Sequence, residues 1–278
     1  MKKLIALLLA LVMVIGLVAC GNNDAPAAEA PKADAPAAEA PKADAPVEEA
    51  PTAPADLPEE EPQEAPADEP VAVMTYAEYA AAELDTPVVI DCYVQAHQGW
   101  WFDGDAGHGK LTVYAADADG AYFLYELNVA EEDVAKFTTG AKIRVTGYKG
   151  MWDGQVEVMD GTFEFVEGDT YVAEPIDGNA LLGSADMINY MNQLASFKGM
   201  TLESKTYKND GGDDIWLTFS NNGVSCSFTV EVYFTGTDSD VYTTVDAMEI
   251  GDVADIEAFL YWYQDAADCH IAAITPAA

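Results

Sequence analysis

Apolar and polar residues alternate most clearly between residues 139 and 165, and this alternation predicts a β-hairpin. From Ile143 to Gly147 every second position is apolar or small and the positions between are polar, which gives a strand with one face toward a core. Asp153-Gly154 supplies the turn, because glycine tolerates the positive φ that tight hairpins require. The alternation resumes at Val156 in a second strand.

The same pattern places further elements before this hairpin in a first folded unit, residues 74–174. Thr75 and Glu78 form a capping box that predicts a short helix to about Leu84. Strands are predicted near 87–95, 110–116 and 121–128, with a helical turn near 131–137. Three strands, a helix and two strands are the order of a five-stranded oligonucleotide/oligosaccharide-binding (OB) barrel. The sequence therefore predicts a mainly β fold of this class, whose function must come from a site.

A second unit, residues 184–278, repeats this order and predicts a second OB-like barrel. Ser184 is expected to cap a helix through Ala195, and strands are predicted near 198–207, 215–220, 224–234, 252–262 and 267–274. Tyr79 and Tyr190 are 111 residues apart, and the same spacing separates Gly140 from Gly251. Shared order and spacing therefore predict two tandem barrels, each preceded by a short helix.

The first 19 residues have the pattern of a secretion signal. Lys2 and Lys3 precede an apolar run that ends in Leu17-Val18-Ala19-Cys20. This ending resembles the bacterial lipobox, whose cysteine receives a diacylglyceryl thioether, so we expect Cys20 to anchor the chain at the extracellular face of the cell membrane. An ordinary signal peptide with an incidental cysteine is the alternative.

Residues 20–73 are expected to form a lipid anchor followed by a disordered linker. The segment DAPAAEAPKA at 24–33 recurs at 34–43, and a third, degenerate copy fills 44–53. Eleven of the 14 prolines lie between Pro26 and Pro70, among alanine and glutamate, so the segment cannot bury enough apolar surface to fold. Its predicted role is to hold the barrels away from the membrane.

Net charge bears on the choice of partner. Removal of residues 1–19 leaves 10 basic and 49 acidic residues, a formal net charge of −39. Phosphate binding depends on clustered Lys and Arg, so this charge predicts that nucleic acid is not a partner. Solubility outside the cell and cation binding are the two remaining explanations of the charge.

Several short segments resemble OB-type domains in surface lipoproteins of Gram-positive gut bacteria. They are Tyr93-Val94-Gln95-Ala96, Trp100-Trp101, Leu111-Thr112-Val113-Tyr114, Asp119-Gly120-Ala121-Tyr122-Phe123 and Val145-Thr146-Gly147-Tyr148-Lys149. The match covers residues 74–172 well and residues 184–278 poorly. The resemblance implies a fold and a location, and it brings no activity or catalytic residues with it.

An aromatic surface of the first barrel is the candidate binding site. The predicted loop at 97–109 borders the usual ligand face of OB folds. The candidate ligand-binding residues are Trp100, Trp101, Phe102, Tyr114 and Trp152. Exposed rings there could stack on a sugar or another planar face, in the first barrel only, since the second lacks the paired tryptophans. Packing of these rings into the core is the alternative.

Acidic loops offer a second, metal-based hypothesis. The first contains Asp103, Asp105 and His108, and the second contains Asp210, Asp213 and Asp214. Oxygen ligands at alternate positions suit calcium, but the remaining loop pattern and a bidentate glutamate are missing, so no metal or other cofactor is predicted. The sequence has none of the nucleophile, zinc or phosphate-loop motifs of enzymes and only three histidines, so no catalysis is predicted.

Two cysteines of the second unit are expected to point into its core. Cys226 lies on the apolar side of the third strand and Cys269 on that of the fifth, which are neighbours in a closed OB barrel. They could form a disulfide in an exported protein, or they could both be small core residues. Cys92 is expected to stay a buried thiol.

Two functions from different classes remain open. The first is a non-catalytic module that binds an extracellular carbohydrate or peptide on the aromatic face. The second is a structural or adhesive surface protein whose paired barrels act as spacers or contact other proteins.

Overall fold

The computed structural model describes residues 72–209 and 211–277, which belong to one compact unit. The predicted signal, Cys20, the proline-rich linker and Asp210 lie outside the described residues. Within the described ranges, no helix has both the length and the apolar character needed to cross a membrane.

The first barrel contains one α-helix, a 3-10 helix and six strands. They are α1 (Tyr76–Ala81), β1 (Pro87–His97), β2 (Trp101–Asp103), β3 (His108–Ala116), β4 (Ala121–Asn128), the 3-10 helix Glu131–Lys136, β5 (Lys142–Trp152) and β6 (Gln155–Phe165). Strand β1 pairs with both β3 and β5, and β4 pairs with β6 in parallel, so the order β1-β3-β4-β6-β5 closes on itself. This closure is that of an OB barrel, as predicted. The short β2 extends the edge of β3.

The predicted hairpin is confirmed as β5 and β6. Ile143 and Val145 are fully buried on the barrel side, whereas the alternate residues Arg144 and Thr146 are partly or fully exposed. Asp153 and Gly154 both adopt positive φ, 48° and 97°, as a tight hairpin turn requires. Alternation within one barrel is therefore enough to place this element.

Helix α1 is held by its predicted capping box and by a lysine from the barrel. The backbone N–H of Glu78 donates to the Thr75 hydroxyl, and its carboxylate accepts from the Thr75 N–H. At the other end, Lys149 Nζ donates to three backbone carbonyls, at 2.8 to 3.0 Å. The Tyr79 carbonyl also accepts from the Ala82 N–H, whereas those of Ala80 and Ala82 would otherwise lack a partner among the described residues. The ammonium also favours the negative end of the helix. The helix ends at Ala81, before the predicted Leu84.

The second barrel is built in the same order. Its elements are β7 (Ile176–Asp177), the 3-10 helices Asn179–Leu181 and Ala185–Tyr190, β8 (Leu194–Tyr207), β9 (Ile215–Asn221), β10 (Val224–Val230), α2 (Val232–Thr235), α3 (Asp240–Ala247), β11 (Val253–Phe259), β12 (Trp262–Tyr263) and β13 (Ala266–Pro276). The order β8-β9-β10-β13-β11 closes through the parallel pair β10–β13. Lys205 Nζ donates to three carbonyls at the end of α3, as Lys149 does for α1.

Three predicted elements of the second unit end earlier than expected, and one of them is the strand predicted near 252–262, which ends at Phe259. The helix predicted from Ser184 to Ala195 is only the 3-10 helix Ala185–Tyr190, and Asn192 follows it with a φ of 70°. The third strand ends at Val230 instead of residue 234, because Glu231 accepts a hydrogen bond from the Tyr233 N–H and begins α2. Helix α3 is absent from the sequence prediction.

The two barrels share a third core, which we call the inter-barrel core. Its buried members are Tyr114 and Phe123 from the first barrel and Phe259 from the second. Tyr114 stacks on Phe259 with ring centroids 4.4 Å apart, and Phe234 of α2 packs against both rings. Faces of β3 and β4 that would meet water in an isolated barrel are therefore buried.

Candidate ligand-binding cleft

A cleft of about 840 Å³ lies between the barrels, and aromatic rings from both of them line it. We call it the inter-barrel cleft. Its volume falls in the range of small-molecule and peptide sites. Three of the five tryptophans are largely exposed, and all three line this cleft: Trp101 (44% exposed), Trp152 (54%) and Trp216 (46%). The further rings are those of Phe123, Tyr125, Tyr233, Tyr261 and Tyr263.

Two of the five predicted binding residues lie in this cleft. Trp101 is on β2, and the Lys110 ammonium lies 5.1 Å from its ring centroid. Trp152 is at the tip of the β5–β6 hairpin and stacks on Tyr263 of the second barrel at 5.6 Å. The structure thus brings together Trp101 and Trp152, which are 51 residues apart in the chain.

The other three predicted binding residues lie elsewhere. Trp100 packs against the first barrel's core, and its indole N–H donates to the Val129 carbonyl at 2.9 Å. Phe102 is exposed but points away from the cleft lining, as expected for the neighbour of Trp101 on a strand. Tyr114 lies on the face of β3 that points away from the first barrel's core, and it is 1% exposed because the second barrel covers that face.

The second barrel supplies half of the aromatic rings that line the cleft. The sequence predicts an aromatic surface in the first barrel only, and the cleft differs from that prediction. Trp216 of β9 and the segment 261–263, Tyr-Trp-Tyr, contribute rings to it, although Trp262 itself is buried in the second core. This aromatic run before the last strand is the signal that sequence reasoning missed.

Two of the carboxylates in the cleft are already paired with lysines. Lys110 contacts Glu126 and Asp103, each at 2.7 Å, and Lys208 contacts Asp214 at 2.9 Å. Hydrogen bonds from Lys110 and from the turn backbone lower the pKa of Asp103 to about 2. These pairs leave little free positive charge in the cleft.

Three further carboxylates, of Glu157, Glu231 and Asp268, have no cationic partner among the described residues. Burial, and then the nearby charge of Glu126, raises the pKa of Glu157 to about 7. Burial raises the pKa of Glu231 to about 7 as well, and Oε2 of Glu231 is buried with no hydrogen-bond partner in the described chain. Burial also raises the pKa of Asp268, which accepts a hydrogen bond from Thr229 at 2.9 Å. The cleft therefore holds acids that desolvation keeps from ionising easily.

His270 adds a hydrogen-bond donor to the floor of the cleft. It is 7% exposed, stacks on Tyr261 at 4.1 Å, and its Nδ1 lies 2.7 Å from the Tyr114 hydroxyl. Burial lowers the pKa of His270 to about 3 and raises that of Tyr114, so the ring is neutral and the phenol keeps its proton. The phenol then donates to Nδ1, and Nε2 carries the ring hydrogen with no partner among the described residues.

The acidic loops do not form a metal centre in the described ranges. No group of three or more His, Cys, Asp or Glu side chains within them is arranged to hold an ion. Asp103 Oδ1 accepts from the backbone N–H groups of Asp105 and Ala106, which is the geometry of a turn. In the second loop, Asp213 accepts from the backbone N–H of the next residue, Asp214, and Asp210 lies outside the described residues.

The cysteines of the second barrel are neighbours, and the disulfide between them stays a prediction. Cys226 on β10 and Cys269 on β13 pack against the same core as free thiols. A hydrogen bond between the two thiols lowers the pKa of Cys226 and raises that of Cys269. Cys92 is fully buried, and burial raises its pKa.

No protein-family model and no curated protein matches this sequence. The similar solved structures include a murine DNA-binding protein bound with double-stranded DNA, at 11% identity over 66% of this chain and 93% of that chain, with a TM-score of 0.35. The Ifi202 HINa domain in complex with 20-bp double-stranded DNA has 13% identity, coverage of 69% and 96%, and a TM-score of 0.33. A replication protein A heterotrimer bound to single-stranded DNA has 12% identity, coverage of 69% and 50%, and a TM-score of 0.29.

These matches contradict the prediction that nucleic acid is not a partner, and we withdraw that exclusion. The prediction used the excess of acidic over basic residues and the dependence of phosphate binding on clustered Lys and Arg. Single strands can also stack on aromatic rings, a contact that a chain's overall charge does not describe. The matches remove an exclusion and assign no ligand to this chain, because their identities and TM-scores are low.

Proposed function

We propose that this chain is a non-catalytic binding protein that captures an extracellular ligand, a carbohydrate or a peptide, in the inter-barrel cleft. The observation that supports this best is the position of the tryptophans. Trp101, Trp152 and Trp216 come from distant parts of the chain and all leave large apolar surfaces exposed on the same cleft. Exposed aromatic surface of this kind is unfavourable in water and is typical of a binding site.

We further propose that the protein is held at the extracellular face of the membrane by a lipid on Cys20. The lipobox-like sequence and the proline-rich repeat support this location. The linker would then keep the cleft away from the bilayer and accessible to ligands in the surrounding medium.

The proposal is tested by tryptophan fluorescence of the full chain titrated with glycan and peptide panels. A ligand in the cleft changes the emission, and Trp101→Ala weakens its binding. Phe102→Ala is the matched control, since Phe102 is the next residue on β2 and is 59% exposed, yet it is not part of the lining. Equal loss in both variants, or no response to any member of either panel, rejects the cleft as the binding site.

The structural or adhesive alternative has its own supporting observation. The inter-barrel core joins the barrels through buried aromatic contacts, which suits a stiff spacer. If no ligand is found and the chain still attaches cells to a surface, this alternative replaces the binding function.

A further inference from the structure

Building on the proposed function, we infer that the inter-barrel cleft takes a positively charged peptide, with a lysine or arginine side chain held between the aromatic walls and the carboxylates of Glu157, Glu231 and Asp268. This assigns a ligand class to the cleft. Three observations support it: three carboxylates of the lining have no cationic partner among the described residues, aromatic rings share the same lining, and the buried His270 adds a hydrogen-bond donor to the floor.

The three carboxylates line the same cleft as the Tyr261 ring. Burial raises the pKa of the Tyr261 phenol, and the charges of Glu157, Asp268 and Glu231 raise it further, so all three act on the same side chain. Lys208 of the lining is already paired with Asp214, and Lys110, next to the cleft, is paired with Glu126 and Asp103. A ligand cation would therefore meet three acids and no free positive charge from the lining.

The rings make the site suitable for an organic cation in particular. Lysine and arginine carry their charge on an apolar stem, which packs on aromatic walls while the charged end lies over a ring face or near a carboxylate. Trp216 and Tyr233 of the second barrel, at 46% and 70% exposure, offer such faces beside Glu231. A neutral sugar could stack on the same rings but would leave the carboxylates without a counter-charge.

The histidine favours a peptide over a simple amine. His270 is more than nine-tenths buried, and its Nε2 hydrogen has no partner among the described residues. A backbone carbonyl of the ligand would accept this hydrogen bond, which a bare polyamine cannot do. Charge and hydrogen bonding together thus match a basic peptide segment.

The test measures binding of a tri-lysine peptide with blocked ends to the full chain by calorimetry. The same peptide with all side-chain amines acetylated is the ligand control, and it is expected to bind at least about tenfold more weakly because it has no cation. Glu157→Gln and Glu231→Gln are each expected to weaken tri-lysine binding by about tenfold.

A matched control variant distinguishes binding of the peptide in the cleft from general electrostatic attraction between a basic peptide and an acidic protein. Glu167→Gln removes the same charge from an exposed residue outside the cleft lining, and it is expected to change affinity by less than about twofold. An equal effect of Glu167→Gln and Glu231→Gln overturns the inference, as does equal affinity for the acetylated peptide.

Two further probes distinguish this inference from the function on which it rests. If cellopentaose binds in a Trp101-dependent way and tri-lysine does not, the inference fails and the binding function stands. Preference for a single-stranded oligodeoxythymidylate over tri-lysine also overturns the inference. If none of these probes binds, the inference fails, and the glycan and peptide panels then decide the proposed function separately.

Discussion

Replacing Glu157 with glutamine is expected to stabilise the protein at pH 8 and to change its stability little at pH 5. The Glu157 carboxyl is almost fully buried, has no hydrogen-bond partner among the described residues, and has a pKa raised by burial from its ordinary value of 4.5 to about 7. The folded state therefore holds this proton more tightly than the unfolded state does. Stability from this group is present below the unfolded pKa and is lost as pH rises through about 7.

The size of the effect follows from the shift. A rise to about 7 from 4.5 corresponds to an upper limit of about 3 kcal/mol, at about 1.4 kcal/mol per pKa unit. Water in the open cleft screens part of this, and we expect about 1 to 2 kcal/mol to remain. Glutamine has nearly the same shape and never ionises, so the variant should not lose this part of its stability at pH 8.

The assay is chemical denaturation of parent and variant at pH 5 and pH 8, followed by circular dichroism. The pH-dependent loss of unfolding free energy should be smaller in Glu157→Gln than in the parent by the amount above. Glu167→Gln, at an exposed position, controls for the change in net charge. If the parent and Glu157→Gln lose the same unfolding free energy between pH 5 and pH 8, ionisation of Glu157 does not destabilise the folded state, and the prediction is wrong.

Three further predictions concern other parts of the chain. Cys20→Ala should release the protein into the medium, and a variant that still partitions into detergent micelles like the parent refutes the anchor. Tyr114→Phe should destabilise by about 1 to 3 kcal/mol in denaturant melts, because it leaves a buried histidine nitrogen unpaired, whereas exposed Tyr148→Phe should have almost no effect. In oxidised protein, mass spectrometry of a nonreducing digest should find Cys226 linked to Cys269, and separately alkylated peptides would rule the bridge out.

Elements whose pattern depends on one barrel alone could be predicted from the sequence. The β5–β6 hairpin and the capping box at Thr75 are local, and both appear as expected. Tyr114 could not be placed, because its outward position on β3 is correct for one barrel and only the second barrel buries it. Gln155 shows the same limit. Its side chain, in the first barrel, is fully buried, and its oxygen accepts a hydrogen bond from the backbone N–H of Trp262 in the second barrel.

The candidate site was only partly predictable for a related reason. Trp101 was identified because aromatic residues in a loop stand out in a sequence. Glu157, Glu231 and His270 look like ordinary surface positions of strands and turns, and their raised or lowered pKa values arise only when another barrel removes water from them. A site formed between two folded units leaves little trace in either unit's own pattern.

The stack of Tyr114 on Phe259 also has a kinetic consequence. The cleft cannot widen by hinging of the barrels without exposing these rings and breaking the contact between Tyr114 and His270. A ligand therefore meets a slot that is already shaped, and little of its binding free energy is spent on ordering the protein. The association rate should be set by diffusion and by electrostatic steering, with no slow closing step. Differences in affinity among ligands should therefore appear mainly in their dissociation rates.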